Sequence, residues 1–435
     1  MRILSSKDKG FPAALGEVLK RGGQGAGAVE EAVRSILKGV RERGDEAVCG
    51  YTRRFDRVDV RGRLSVREAE IDSATRKIPK NDVKILELAA SRIKAFHKRE
   101  TQRSWIFSDR YGTRLGVKVT ALQRVGIYVP GGKAAYPSTV LMNAIPARVA
   151  GVEEIIMVTP PSSGSSGGIN PYVLAAAKIS GVDRVFRIGG AQAIGALAYG
   201  TATVPRVDKI TGPGNVYVAT AKRLVYGVVD IDMIAGPSEI LIINDGTGSP
   251  SWIASDLLAQ AEHDELAFSM LITTSGKMAL AIKKEVDRGV GRLARARIAA
   301  VSITRRGMII VVRTLLEAAA ISNRIAPEHL ELFVKRPRPL LKLIRNAGAV
   351  FMGRLTPEAA GDYIAGPNHT LPTGGTARFS SPLGVEDFIK RTSVISFSKE
   401  GINALGPSIA RVAEIEGIEG HGRSVKARIE KRDIR

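Results

Sequence analysis

From residue 124 onward the chain falls into short apolar runs separated by stretches of helical period. Residues 125–129 read as a strand, 139–150 as a helix, 155–158 as a strand, 171–180 as a helix and 184–188 as a strand, followed by helices over 192–199 and 216–226. Strands alternating with helices at this spacing predict a parallel sheet of Rossmann type, a domain spanning about 128–237. A second α/β series opens at 239–243 and continues through strands near 269–273, 307–312, 330–334 and 349–352. Upstream, residues 29–43 and 83–98 read as amphipathic helices, the second with Ile85, Leu86, Ala89, Ile93 and Phe96 near helical period. Residues 1–25 read as a polar tail ending in a Gly22-Gly23-Gln24-Gly25 hinge. The stretch from 383 to the end is rich in Gly and charge, too thin for its own core, and is expected to pack on something larger, such as a second subunit.

The most informative helix is expected over 256–266, DLLAQAEHDEL, with Leu257, Leu258, Ala261 and Leu266 facing a core, Ser249 as its cap and Pro250 at its first position. On that helix Gln260 and His263 stand three apart and share a face, half of a metal site beside Glu262, Asp264 and Glu265. The chain has only five histidines, and four of them (His263, His329, His369 and His421) lie in its second half among polar or acidic neighbours. Each alone reads as a surface or satisfied core histidine; together they point towards a shared site. Glu328-His329 pairs a carboxylate that could activate water with an imidazole that could take a proton from an alcohol, or else is a salt-bridged histidine at a strand end. Asp362 reads as a carboxylate ligand or a turn residue.

Length and charge bound the rest. A chain of 435 residues divides into two or more domains. The single cysteine, Cys49, excludes internal disulfides and cysteine-only zinc sites and fits a reducing cytoplasm. No stretch is long and apolar enough to span a bilayer, and the first residues do not form a signal peptide. A net charge of +22 suggests anionic partners, yet the basic residues are spread along the whole chain without an arginine-rich arm. The charge therefore reads as a solvated surface, not as a nucleic-acid or membrane site.

The standard dinucleotide fingerprint is absent, as are the P-loop, the G-x-S-x-G elbow and H-E-x-x-H. In their place stand Pro130-Gly131-Gly132, Gly189-Gly190-Ala191-Gln192 and Gly212-Pro213-Gly214-Asn215, each after a predicted strand. They are either ordinary tight turns or, at the carboxyl ends of successive strands, a place where backbone N–H groups receive a pyrophosphate.

Longer motifs then identify a resemblance. RVGIYVPGG at 124–132, GGAQAIGALAYGT at 189–201, VDKITGPGNVYV at 207–218, AGPSE at 235–239, AQAEHD at 259–264, APEHLE at 326–331 and GDYIAGPNHTLPT at 361–373 occur in this order. The sequence from about 33 to 428 closely resembles the histidinol dehydrogenase family. Two features depart from the family pattern: Glu265 stands where proline is common, and the charge is unusually basic.

The resemblance implies a fold of two incomplete Rossmann-like α/β domains with small N- and C-terminal pieces. It divides the chain into a tail (1–25), a zinc-bearing catalytic domain (26–127 with 238–382), an NAD-binding domain (128–237) and a C-terminal piece (383–435) swapped onto the partner of a homodimer. It implies zinc, one per subunit, on Gln260, His263, Asp362 and His421. Glu328 and His329 become the catalytic pair, and Ser238, His369 and Glu416 further contacts to L-histidinol beside the zinc residues and His329. Tyr128, Gln192 and Asn215 become the NAD-binding positions. The implied reaction carries L-histidinol through L-histidinaldehyde to L-histidine with two NAD. A related dehydrogenase of a non-imidazole alcohol, a zinc hydrolase using Glu328, and a nucleic-acid binder remain as alternatives.

Overall fold

The computed structural model describes residues 1–21, 26–131, 135–162 and 167–429; the expected glycine hinge at 22–25 and Gly132 lie outside them. The strands are β1 Arg2–Ser5, β2 Ser65–Val66, β3 Trp105–Ser108, β4 Arg114–Ala121, β5 Arg124–Tyr128, β6 Glu154–Thr159, β7 Arg184–Arg187 and β8 Lys209–Thr211. After them come β9 Asp230–Ile231, β10 Glu239–Asn244, β11 Phe268–Thr273, β12 Met308–Val311, β13 His329–Phe333, β14 Ala349–Met352 and β15 Ile389–Ser396. The chain forms two compact units, one of residues 1–100 with 122–388, the other of residues 101–121 with 389–435.

The first unit contains two six-stranded sheets, ordered β2-β7-β6-β5-β8-β9 and β1-β12-β11-β10-β13-β14. All pairings in them are parallel except that of β2 with β7. Parallel sheets need both faces covered, which explains the continuous apolar runs. In β10, Leu241 and Ile243 enter one core with Phe11, Leu15, Ile321 and Ile325. Ile240 and Ile242 enter the other with Ile253, Leu257, Ile282 and Ile303. In each sheet the chain winds outward from β5 or β10, then returns to the other side of that strand with β8 or β13. The gaps β5/β8 and β10/β13 are therefore the points where strand order reverses.

Four expectations are corrected. Residues 1–5 are not a tail: β1 pairs with β12 at a sheet edge, and helix Phe11–Leu19 buries Phe11, Ala14, Leu15 and Val18. Their spacing is a two-turn apolar stripe, easily masked by the lysines around it. Residues from 26 to 97 do not join the sheet of β10; Val33, Leu37 and Val40 pack with Phe186 and Ile194, and Ala89, Ala90 and Ile93 pack with Ile127 and Ile155. Ile85 and Phe96 are left exposed. The helix starts at Pro250 after Ser249, as expected, although Ser249 makes no side-chain cap bond; it ends at Ala261 rather than running to Leu266, so that His263 follows in a turn and Leu266 is exposed. Asp264 accepts the N–H of Leu266 at 2.9 Å, a local bond that competes with helix continuation. Lastly, the C-terminal piece begins at 389 rather than 383 and takes in residues 101–121.

That second unit is an antiparallel sheet, β15-β4-β3, with helices Lys399–Ile415 and Glu419–Lys426. Ser398 caps the longer helix, its hydroxyl accepting from the N–H of Gly401 at 2.9 Å. Trp105, Ile106 and Phe107 on β3, and Val412 and Ile415, are exposed.

If the N-terminal helix belongs to the core, Leu15→Ala should destabilise the protein by about 2–5 kcal/mol, the usual cost of emptying a fully buried leucine site. Denaturant unfolding measures this; a change under about 0.5 kcal/mol would mean that the helix contributes no core packing.

Candidate active site

Glu239 opens β10 and His329 opens β13, so two neighbouring strands present their amino ends side by side at one reversal point. The ring nitrogen Nδ1 of His329 lies 2.9 Å from the Glu239 carbonyl oxygen. A carbonyl can only accept, so the proton sits on Nδ1 and the neutral ring leaves a lone pair on Nε2. That Nε2 is buried, without a hydrogen-bond partner among the described residues, and 3.8 Å from an Asp362 oxygen. Burial pushes the His329 pKa down to about 3; the bond to Glu239 opposes the fall, and His263 and His369 nearby add to it. The ring is thus a neutral, unengaged base at neutral pH.

Carboxyls crowd around it. Oε2 of Glu328 accepts the backbone N–H of Glu239 at 2.8 Å and lies 3.6 Å from His329 Nδ1, while a Glu358 oxygen lies 3.4 Å from the same nitrogen. With its amide turned so that both ends find partners, Gln260 would donate to both Glu358 oxygens, at 2.5 and 3.1 Å, and accept the Glu239 N–H at 2.9 Å. Behind them Glu331 accepts the N–H of Glu358 at 2.9 Å and shares a hydrogen bond with Asp256. Burial, reinforced by neighbouring carboxylates, holds Glu328, Glu331 and Glu358 well above the usual carboxylate range. Burial raises Asp362 and Asp256 to about 6.

Ligand atoms of His329, Glu358 and Asp362 lie within 4.8 Å of one another, a group able to hold a cation. Asp362 alone belongs also to the ligand set that the resemblance implies. Gln260 adjoins this group through Glu358, and Ser238 precedes Glu239. His263 is exposed beyond the helix end, its N–H bonded to the Gln260 carbonyl at 3.2 Å. Burial lowers the His369 imidazole to about 4, with His263 again a nearby influence. Glu416 and His421 belong to the second unit, where both are exposed, at the end of helix Lys399–Ile415 and in the first turn of helix Glu419–Lys426.

At the carboxyl ends of the other sheet, the Tyr128 hydroxyl accepts the Gly190 N–H at 3.1 Å, and burial pushes its pKa up to about 12. Gln192 is buried with Oε1 unpartnered among the described residues. Asn215 caps helix Val216–Val225, its oxygen accepting from Tyr217 and Val218 at 3.0 and 3.2 Å. Gly212 has φ +106, and a Cβ there would stand 2.1 Å from the Tyr128 carbonyl oxygen, so only glycine fits. Its loop is pinned from below: Lys222 donates to the Gly212 carbonyl at 2.9 Å, Asp232 accepts the Gly212 N–H at 2.7 Å, and the two side chains form a buried ion pair. An open hollow of about 800 Å³ lined by Arg43, Cys49, Arg54, Arg61 and Arg67 contains none of these residues.

The sequence reading missed Glu239, Glu331 and Glu358. A charged residue inside the apolar run HLELF was a signal for Glu331. Nothing local marks Glu358, which reaches the site because helix Glu358–Tyr363 starts beside β13.

Comparison with known proteins follows this geometry. The profile of the family described as histidinol dehydrogenase matches residues 19–429. A histidinol dehydrogenase of Syntrophotalea carbinolica is 58% identical over 430 residues, covering 99% of this chain and 99% of that protein. One of Geobacter sulfurreducens is 58% identical over 431 residues, covering 99% and 100%. The crystal structure of histidinol dehydrogenase from Elizabethkingia anophelis superposes with a TM-score of 0.92 at 35% identity, covering 98% of each chain. No described helix is long and apolar enough to cross a membrane. With a profile match over nearly its whole length and relatives this similar, the chain belongs to the histidinol dehydrogenase family, a family of oxidoreductases.

Proposed function

We propose that this chain oxidises L-histidinol through L-histidinaldehyde to L-histidine, using two NAD and one zinc per subunit. The observation that carries the chemistry is the buried, unpartnered Nε2 of a neutral His329 beside Glu328. In the first half-reaction His329 Nε2 would take the hydroxyl proton; NAD, when bound, would supply the hydride acceptor for both halves. In the second, the ionised form of Glu328 would remove a proton from water as the water oxygen adds to the aldehyde carbon, giving the hydrate that the second oxidation consumes.

The residues fit both cofactors. Several buried carboxyls crowd one imidazole with no lysine or arginine paired to them among the described residues, and a sulfur-free N/O donor set suits zinc. Gln260, His263, Asp362 and His421 of the partner subunit would hold the ion, which supplies a fixed grip on the substrate's imidazole and amino groups. Ser238, His369 and Glu416 complete the substrate contacts. For NAD, glycine loops at a strand-order reversal, with the orphaned Gln192 oxygen, provide the cradle, and Tyr128 and Asn215 flank it. The exposed Trp105, Ile106 and Phe107 favour a homodimer, in which the second unit lends His421 to its partner's site.

The direct test incubates purified protein with L-histidinol and NAD: two NADH should form per histidine. One NADH with released aldehyde would reduce the reading to a simple alcohol dehydrogenase.

Replacing His263 or His421 by alanine should remove zinc and activity together, measured by elemental analysis. Asp362, raised to about 6, must be deprotonated to bind a cation, so the affinity of the metal-free protein for added zinc should weaken as pH falls through about 6. Full zinc occupancy in both variants would overturn the ligand set.

Subunit sharing predicts complementation. Inactive His421→Ala and Glu328→Gln proteins, mixed under conditions that exchange subunits, should recover activity, because each mixed dimer gains one intact site. No recovery despite demonstrated exchange would put both residues in one chain's site.

Glu328 and His329 should separate by half-reaction. Glu328→Gln should slow aldehyde oxidation by about 10²–10⁴-fold, the usual contribution of a positioned base. Reduction of supplied histidinaldehyde by NADH bypasses hydration and should largely survive. His329→Asn should impair that reduction instead. Equal losses in both half-reactions for Glu328→Gln, with zinc retained, would refute the division.

A further inference from the structure

Glu239 holds both members of the proposed catalytic pair through its main chain, its N–H donating to Glu328 and its carbonyl accepting from His329. What fixes Glu239 therefore fixes the pair. Its carboxylate is buried and gripped by Arg21, with Nε 2.6 Å from Oε1 and Nη2 2.7 Å from Oε2, the parallel fork that only a guanidinium supplies. Oε1 also accepts the N–H of Gly374 at 2.9 Å.

Two further donors of Arg21 go to helix carbonyls. Nη1 donates to the Val18 carbonyl at 3.0 Å, tying the fork to helix Phe11–Leu19. Nη2 donates to the Ile325 carbonyl at 2.8 Å, at the end of helix Leu315–Ile325. The next residue, Ala326, has φ +49, a left-handed conformation costly for a side chain that must be held by its surroundings. Pro327, Glu328 and His329 follow directly. One guanidinium thus anchors the start of β10 and the turn that delivers the start of β13.

We infer that Arg21 is a positioning residue for Glu328 and His329, acting through Glu239 and the Ile325–Ala326 turn rather than by touching substrate. The inference rests on the histidinol-oxidising reading for its kinetic consequence, but its geometric consequence stands apart: Arg21 keeps the His329 proton on Nδ1 by keeping the Glu239 carbonyl in place.

The experiment uses full-length protein and the variants Arg21→Met and Arg21→Lys, the latter keeping the charge but not the fork. The parent is assayed alongside with L-histidinol and NAD. For Arg21→Met, kcat should fall about ten- to a hundred-fold, the scale of a misplaced catalytic group, with KM for NAD and zinc content unchanged. Arg21→Lys should lie between, and added methylguanidinium should restore part of the Arg21→Met loss. Nitrogen-15 NMR of the His329 ring should show the Nδ1–H tautomer in the parent and its loss in Arg21→Met. A merely structural arginine would lower the melting temperature while leaving kcat and the tautomer as in the parent, and that result overturns the inference. Should Arg21→Met fail to fold, Arg21→Lys decides: an unchanged kcat and tautomer refute it. A parent without histidinol oxidation would sink the functional reading, and the tautomer comparison would still judge the positioning role.

Discussion

The hydrogen bond from His329 Nδ1 to the Glu239 carbonyl is the constraint on which the site depends. A main-chain carbonyl cannot donate, so this contact chooses one tautomer and turns Nε2 into the only open position on the ring. It also requires two strand starts to meet in register, since Ile240 pairs with His329 across the sheet. Rigid parallel pairing, covered on both faces by apolar side chains, is what gives a single hydrogen bond such authority over chemistry.

Around that bond the fold accepts a cost. Glu328, Glu331 and Glu358 are buried within reach of one another, each pushed towards its protonated form by desolvation and by like charges. Such an assembly destabilises a protein unless a cation or a bound substrate compensates it, and clusters of this kind mark functional centres more often than structural ones. The surplus of basic charge on the chain does not enter this core: among the described residues the site's carboxyls meet imidazole, amide and backbone N–H groups, and Arg21 is the one guanidinium bound to Glu239.

The two six-stranded sheets share one winding pattern but use opposite ends of it. Around β5 and β8 the glycine loops lie at carboxyl ends, beside the starts of helices Gly190–Tyr199 and Val216–Val225. Around β10 and β13 the proposed acid–base groups lie at amino ends, where helix Pro250–Ala261 finishes and brings Gln260 alongside. Binding of phosphates favours the first arrangement. A site built on side chains needs no helix dipole and can occupy the second.

The sequence by itself determined the α/β class, the alternation of strands and helices after residue 124, and the family, because apolar periodicity and long ordered motifs are local properties of the chain. It also marked Gln260, His263, Glu328, His329 and Asp362 as chemically notable. It could not show that residues 1–21 form an edge strand and a core helix, since four residues of strand carry too little pattern and gain their meaning only from β12. Nor could it show that the helix after Pro250 stops at Ala261, a choice made by the bonds of Asp264 and by the turn into β11. Least legible were Arg21, Glu239 and Glu358, whose roles exist only as pairings across 218 residues or more between Arg21 and its partners Glu239 and Ile325, and 27 between Glu331 and Glu358. Sequence distance carries no information about such contacts; tertiary packing decided them by bringing buried polar groups from distant segments within hydrogen-bond reach.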